Sequence, residues 1–190
     1  MYRIIASIIF IFSMLYCKNI KASDDNEEIR IMFQSDQEAR QGQNIPWNEL
    51  KNSDSKRREE IKRIINKGDL HTANDYYRAS FIEQHGLNSD DYLLAHTLAT
   101  TALVMGCADA RWIVAATLDR YLWSIGKSQI YGTQTQNINP DGKEKFTQEP
   151  FNRLVINDEI RGILRVPGIK VQERNIKNNI FHQEIDAEKQ

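Results

Sequence analysis

The chain has 190 residues, with 25 basic and 26 acidic side chains and a formal net charge of −1. Hydrophobic residues make up 41% and charged residues 27%, ordinary proportions for one globular domain with its own core. The balanced charge, with no basic stripe interleaved with aromatics, argues against a nucleic-acid binder that works through phosphate contacts.

Residues 1–22 read as an export signal. Arg3 is a short positive start, and Ile4 to Tyr16 is an apolar run too short to span a bilayer as a helix. Ala22 is a suitable residue before the cut, with Ile20 at the third-last position. An uncleaved N-terminal anchor is the alternative. Cleavage removes Arg3, Lys18 and Lys21 and no acid, leaving 22 basic residues against 26 acidic ones. Lipidation of Cys17 is disfavoured because the bulky Tyr16 precedes it. After cleavage Cys107 is the only cysteine, so no internal disulfide can form, and it reads as a small buried hydrophobe. The expectation is an exported protein, periplasmic or extracellular, with no membrane span once the signal is removed. It divides into the signal, a single helical domain over 23–175 and a polar tail over 176–190.

Ser23 to Gln41 opens with acids and continues with Ile29, Met32 and Phe33 at helical spacing. The same stripe reaches Asp36, Gln37 and Arg40, so a polar trio lies on the face that starts out buried, with Asp36 and Arg40 spaced as a helical ion pair. Gly42 to Trp47 is a turn broken by Pro46, with Trp47 expected against the core. Asn52 to Lys67 is a second helix whose inner face carries Ile61, Ile64 and Ile65. Three or four residues back, that face reaches Arg57, Arg58 and Asp54. Gly68 stops the helix.

Thr72 with Asp75 starts a third helix, which presents Tyr77, Phe81 and His85 on one face and is expected to be capped by Gly86. Asn88 opens a fourth, alanine-rich helix that turns His96 toward a neighbour and ends at Gly106. Asp109 is expected to cap a fifth, with Trp112, Ala115, Ala116, Asp119 and Leu122 in line up to Gly126. A carboxylate at Asp119 on such a face needs a partner, for which Arg120, Arg111 and His96 are the candidates. Beyond Gly126 the period changes to extended chain. Asn139-Pro140-Asp141-Gly142 is a turn signal, so Thr133–Ile138 and Lys143–Gln148 are expected to pair as a β-hairpin. A short helix capped at Asn157 or Asp158 follows, stopped by Val166-Pro167-Gly168. The predicted fold is mainly α, a compact bundle of about five to six helices with a small C-terminal β-hairpin.

Several separated motifs occur in order: D-Q-x-x-R (Asp36, Gln37, Arg40), G-x-L-x-T-x-x-D-Y-Y (Gly68 to Tyr77), Q-H-G (Gln84 to Gly86), D-Y-x-x-A-H (Asp91 to His96), A-x-x-D-R (Ala116 to Arg120), Q-x-Y-G-T-Q (Gln129 to Gln134), E-P-F (Glu149 to Phe151), and D-E-x-R with V-P (Asp158, Glu159, Arg161, Val166, Pro167). The set, spread over roughly residues 30 to 175, resembles a family of uncharacterised bacterial proteins, a domain of unknown function marked by its Y-G-T-Q ending. The resemblance implies a mostly helical domain, often behind an export signal, and brings no activity with it.

The inward polar residues define the candidate site. They are Asp36, Gln37, Arg40, Gln84, His85, His96, Asp119 and Arg120, joined by Gln129, Tyr131, Thr133 and Gln134 from the return loop. One reading is a mutually satisfied network that fixes helix register and the hairpin. The other is a polar pocket with His85 or His96 as general base, Asp119 orienting it and Arg40 or Arg120 holding an anion. His85 and His96 lack metal-ligand spacing, and no phosphate loop, dinucleotide glycine pattern or G-x-S-x-G motif is present, so no metal and no cofactor is expected. The function expected first is a binding module for another envelope protein or a small polar ligand. A hydrolase-type enzyme using a His/Asp pair and a purely structural envelope component are the alternatives.

Overall fold

A computed structural model of the chain describes residues 24–41, 45–139, 145–178 and 180. The signal segment with Cys17, the Pro140–Gly142 turn and the end of the polar tail lie outside the described residues.

Among the described residues there are seven helices: α1 (Glu27–Glu38), α2 (Trp47–Lys67), α3 (Ala73–Glu83), α4 (Ser89–Val104), α5 (Ala110–Ser124), α6 (Asp158–Ile163) and α7 (Ile169–Lys177). Between α5 and α6 two short strands, β1 (Gln136–Asn137) and β2 (Phe146–Thr147), pair antiparallel, with Gln136 opposite Thr147 and Asn137 opposite Phe146. The fold is thus a mainly α bundle with a small C-terminal hairpin. The paired part is only two residues per strand; at one end the Gln134 and Gln148 carbonyls bond to the Gln129 side chain instead, and at the other Ile138 still donates to the Lys145 carbonyl at 2.9 Å. Among the described residues no helix is long and apolar enough to cross a membrane.

The helix starts follow their caps. Asn26 opens α1 by accepting from the Glu28 and Ile29 amides at 3.0 and 3.2 Å. Thr72 and Asp75 form a capping box on α3. Asp75 is fully buried and also takes the Asn26 amide at 2.7 Å, which ties the start of α1 to the start of α3. Asn88 caps α4. Gly68 closes α2 at φ +76°, a conformation that favours glycine.

The core forms in two joined parts. Ile29, Ile61, Ile64, Ala79, Ile82 and Leu98 gather α1 to α4 around one cluster. Ala99, Ala102, Ala110, Ile113 and Ala116 form the second, where α4 and α5 approach closely because their facing side chains are small. Two adjacent layers, α3 on α4 and α4 on α5, therefore set the geometry on which the polar residues sit.

Three expectations are corrected. Trp47 begins α2 on the outside and is 62% exposed, so it does not pack on the core. Asp109 precedes α5 in a helical conformation and makes no side-chain cap; it pairs with Arg165 at 3.0 Å. Gly86 is not a left-handed cap. A Cβ there would stand 2.3 Å from the Asp91 Cβ, so glycine is required by the close approach of α4.

Candidate active site

The end of α3 is the centre of the polar arrangement. A helix ends with carbonyls that lack intrahelical donors and carry partial negative charge. Here two arginines from two other helices supply the donors. Arg120 of α5 gives its Nη1 to the Gln84 carbonyl at 3.0 Å, and Arg58 of α2 gives its Nη1 to the His85 carbonyl at 2.5 Å. The Tyr92 hydroxyl donates to the Gly86 carbonyl at 2.8 Å. Asp91 accepts from the Leu87 amide at 3.0 Å and pairs with Lys62 at 2.7 Å. The Q-H-G segment is therefore held at each of its carbonyls.

Beside it lies an ionic cluster from α1 and α2. Asp36 is fully buried. Its Oδ1 accepts from Arg40 at 2.7 Å and lies 3.4 Å from Arg57 Nε, while Gln37 donates to Oδ2 at 2.9 Å. The other face of Arg40 forks onto Asp54 at 2.8 and 2.9 Å, and Arg57 reaches Asp54 at 2.7 Å. Burial works against the Asp54 carboxylate, but the bonds from Arg40 and Arg57 together outweigh it and keep its pKa below the usual value.

His85 faces this cluster, with Nε2 3.6 Å from Asp36 Oδ2. That distance is just beyond a hydrogen bond. Burial lowers the imidazole pKa; Asp36 opposes the shift, and the charges of Arg40 and Arg120 add to it. The ring is therefore neutral at pH 7. The tautomer that turns an N–H toward Asp36 leaves Nδ1 as the basic lone pair.

A cavity of about 840 Å³ opens next to His85. Gln37, Arg40, Gln84 and His85 form its polar wall. Tyr77, Phe81 and Trp112 form an aromatic wall, in which Phe81 and Trp112 stack with centroids 6.3 Å apart. Gly132 and Thr133 border it from the return loop, and Arg165 and Gln172 from the C-terminal segment.

The return loop is built separately. Asp119 is fully buried and accepts four bonds: Ile130 N at 2.8 Å and Tyr131 N at 3.0 Å on Oδ1, and Thr133 N at 3.0 Å and Thr133 Oγ1 at 2.8 Å on Oδ2. Its partners are loop donors, not Arg120, Arg111 or His96. Gln129, also fully buried, accepts from the Gln134 amide at 2.9 Å and donates to the carbonyls of Gln134 and Gln148. Gln134 in turn donates to the Ala116 carbonyl at 3.1 Å. Gln148 and Gln172 hold the Gly132 and Tyr131 carbonyls. Arg161, 1% exposed, closes the far side with bonds to the Ile130 and Ile156 carbonyls.

The structure thus divides the sequence-selected residues into three groups. Gln37, Arg40, Gln84 and His85 meet at the cavity, with Asp36 buried beside His85 and Arg120 behind Gln84. Asp119, Gln129, Tyr131, Thr133 and Gln134 shape the loop, and of these only Thr133 borders the cavity. His96 stands apart, its Nδ1 3.1 Å from the Val114 carbonyl, as a tie between α4 and α5. Asp54, Arg57 and Arg58 were missed as site residues although helical spacing already put them on the inner face of α2. Helical spacing places Phe81 and Trp112 on helix faces and gives no sign that they line a cavity. Gln148 and Gln172 gave no signal, since isolated glutamines have no periodic signature.

No family model, no curated protein and no solved structure matches this chain.

Proposed function

We propose that the chain is a hydrolase-type enzyme in which His85 is the general base and Asp36 the carboxylate that orients it. The observation that carries this reading is an imidazole at the wall of a cavity, with a fully buried carboxylate 3.6 Å from its Nε2. A base of this kind takes a proton from water as the water attacks a carbonyl or phosphoryl centre, then returns it to the leaving group. The partner differs from the carboxylate expected at sequence level, because every acceptor position of Asp119 is engaged by the loop. The cavity volume suits a small molecule. Residues 1–22 support export, so the substrate on this reading is met outside the cytoplasm.

The test is a screen of the purified protein against chromogenic esters, amides, phosphoesters and glycosides, with His85→Gln as control. Turnover that falls at least a hundredfold in a folded His85→Gln supports the proposal. Turnover unchanged in that variant removes His85 from the reaction.

A second reading is favoured by the wrapping of Asp36, whose charge is already met by Arg40, Arg57 and Gln37. A network satisfied in this way suits a binding module that holds a small polar ligand without converting it. Saturable ligand binding with no turnover across the screen selects it.

A further inference from the structure

Four arginines surround the end of α3, and only two have carboxylate partners. Arg40 and Arg57 are matched by Asp36 and Asp54. Arg58 is buried and Arg120 half-buried, and both bond to main-chain carbonyls; among the described residues no carboxylate lies within 4.0 Å of either. The Arg120 Nε is buried with no acceptor among the described residues. A helix end offers about half a negative charge, too little to neutralise two guanidiniums. The nearby acids do not close the difference. Asp91 is taken by Lys62, and Glu83, which Arg58, Lys62 and Asp91 face, has neither oxygen hydrogen-bonded among the described residues and is pushed up by burial to about 7, so it carries only part of a charge at neutral pH. The ground behind Gln84 and His85, two residues of the polar wall, therefore carries excess positive charge through Arg120 and Arg58 in a partly dry setting, where fields act strongly.

Two donors border the same space. The Gln84 amide makes no hydrogen bond among the described residues, and Arg165, paired through one nitrogen to Asp109, also lines the cavity. Trp112, 38% exposed and stacked on Phe81, lines the same cavity.

We infer that the substrate of this site is an anion, a small molecule with a carboxylate or phosphate group and a flat apolar part. The anionic group lies in the field of Arg58 and Arg120 within reach of Gln84, and the apolar part rests on Trp112. The inference rests on the cavity being the site proposed above and adds the class of molecule that enters it.

The imidazole of His85 reports occupancy directly. An anion beside it raises its midpoint, whereas a neutral molecule does not. Its ring signals are assigned by their loss in His85→Gln and titrated alone, then with benzoate, phenyl phosphate, inorganic phosphate and benzamide. The expected result is saturable binding of benzoate, phenyl phosphate or both, an upward shift of the His85 midpoint by about half a pH unit or more, and no shift with benzamide. Benzoate alone identifies a carboxylate head, and phenyl phosphate alone a phosphate head. Inorganic phosphate should bind about tenfold more weakly than phenyl phosphate, because it lacks the stacking group. Arg120→Gln should weaken the anions about tenfold, and Arg165→Gln, on the exposed rim, gives the same direction of change if Arg120→Gln does not fold. Benzamide binding as tightly as benzoate, or no anion binding at about 10 mM, overturns the inference. Anion binding without any turnover keeps it and removes the catalytic reading; turnover of neutral substrates without anion binding does the reverse.

Discussion

Thr133 sends both of its donors to a single oxygen of Asp119, the amide at 3.0 Å and the hydroxyl at 2.8 Å. With two further amides on the other oxygen, a buried carboxylate organises the return loop without a cation. Asp119→Asn replaces one acceptor oxygen by a donor that faces N–H or O–H groups. It is expected to cost about 2–4 kcal/mol, measured as the shift in the denaturant midpoint. A midpoint within error of wild type contradicts this account of the loop.

Gly132 should tolerate nothing larger. A Cβ would lie 2.0 Å from Gln172 Oε1 and 2.7 Å from the Phe151 ring, at φ +85°. Gly126 has φ +72° but open space around it. Gly132→Ala is expected to destabilise by roughly 3 kcal/mol and Gly126→Ala by about 1, since only the first adds a clash to backbone strain. Thermal unfolding of the pair checks the difference, and equal losses rule out the close-approach explanation.

Glu83 makes stability depend on pH. It is fully buried, neither oxygen has a hydrogen-bond partner among the described residues, and burial raises its pKa from 4.5 to about 7, with Asp91 adding to the rise and Lys62 and Arg58 opposing it. Between these values the folded chain holds the proton more tightly than the unfolded one. Its contribution is complete below about pH 4.5 and is lost as pH rises through 7. Relative to wild type, Glu83→Gln should gain roughly 3 kcal/mol of stability between pH 4.5 and pH 8. A difference that stays flat over that interval shows that Glu83 is not protonated in the fold.

His85 predicts the opposite limb. Its pKa is lowered, chiefly by burial, so the folded state disfavours the proton that the unfolded chain accepts near 6.5. This contribution is present above that value and fades as pH falls through the folded pKa. If His85 is the base, kcat/KM should fall tenfold per pH unit below its folded pKa and be level above it until another group titrates. A profile without an acid limb excludes an imidazole base.

The helices were legible because their signals are local. Thr72 with Asp75, and Asn88 before α4, mark starts that side chains alone can make, and the stripe Ile29, Met32, Phe33 leads to Asp36 on the same face. The pairing of Asp36 with Arg40 was legible for the same reason, being one helical turn. What Asp119 binds was not, because three of its four partners are backbone amides eleven to fourteen residues later, and an amide has no residue-type signature. Trp47 was misread because an aromatic after a proline looks like an anchor, yet here it only begins a helix whose inner face starts at Leu50. The arginines on the end of α3 come from two distant helices, a relation that no spacing encodes.

Asp119 and Arg120 are neighbours in sequence, but consecutive residues on a helix point about 100° apart. One grips the loop that borders the cavity at Thr133, and the other grips the carbonyl before His85. A single peptide bond thus serves as the ruler between the two sides of the cleft. A slip of α5 against the alanines of α4 carries both grips together, pulling on the loop and on the end of α3 at once. The position of the cleft is therefore only as adjustable as that contact, and a bulkier side chain at Ala99 or Ala116 would act on the site from behind.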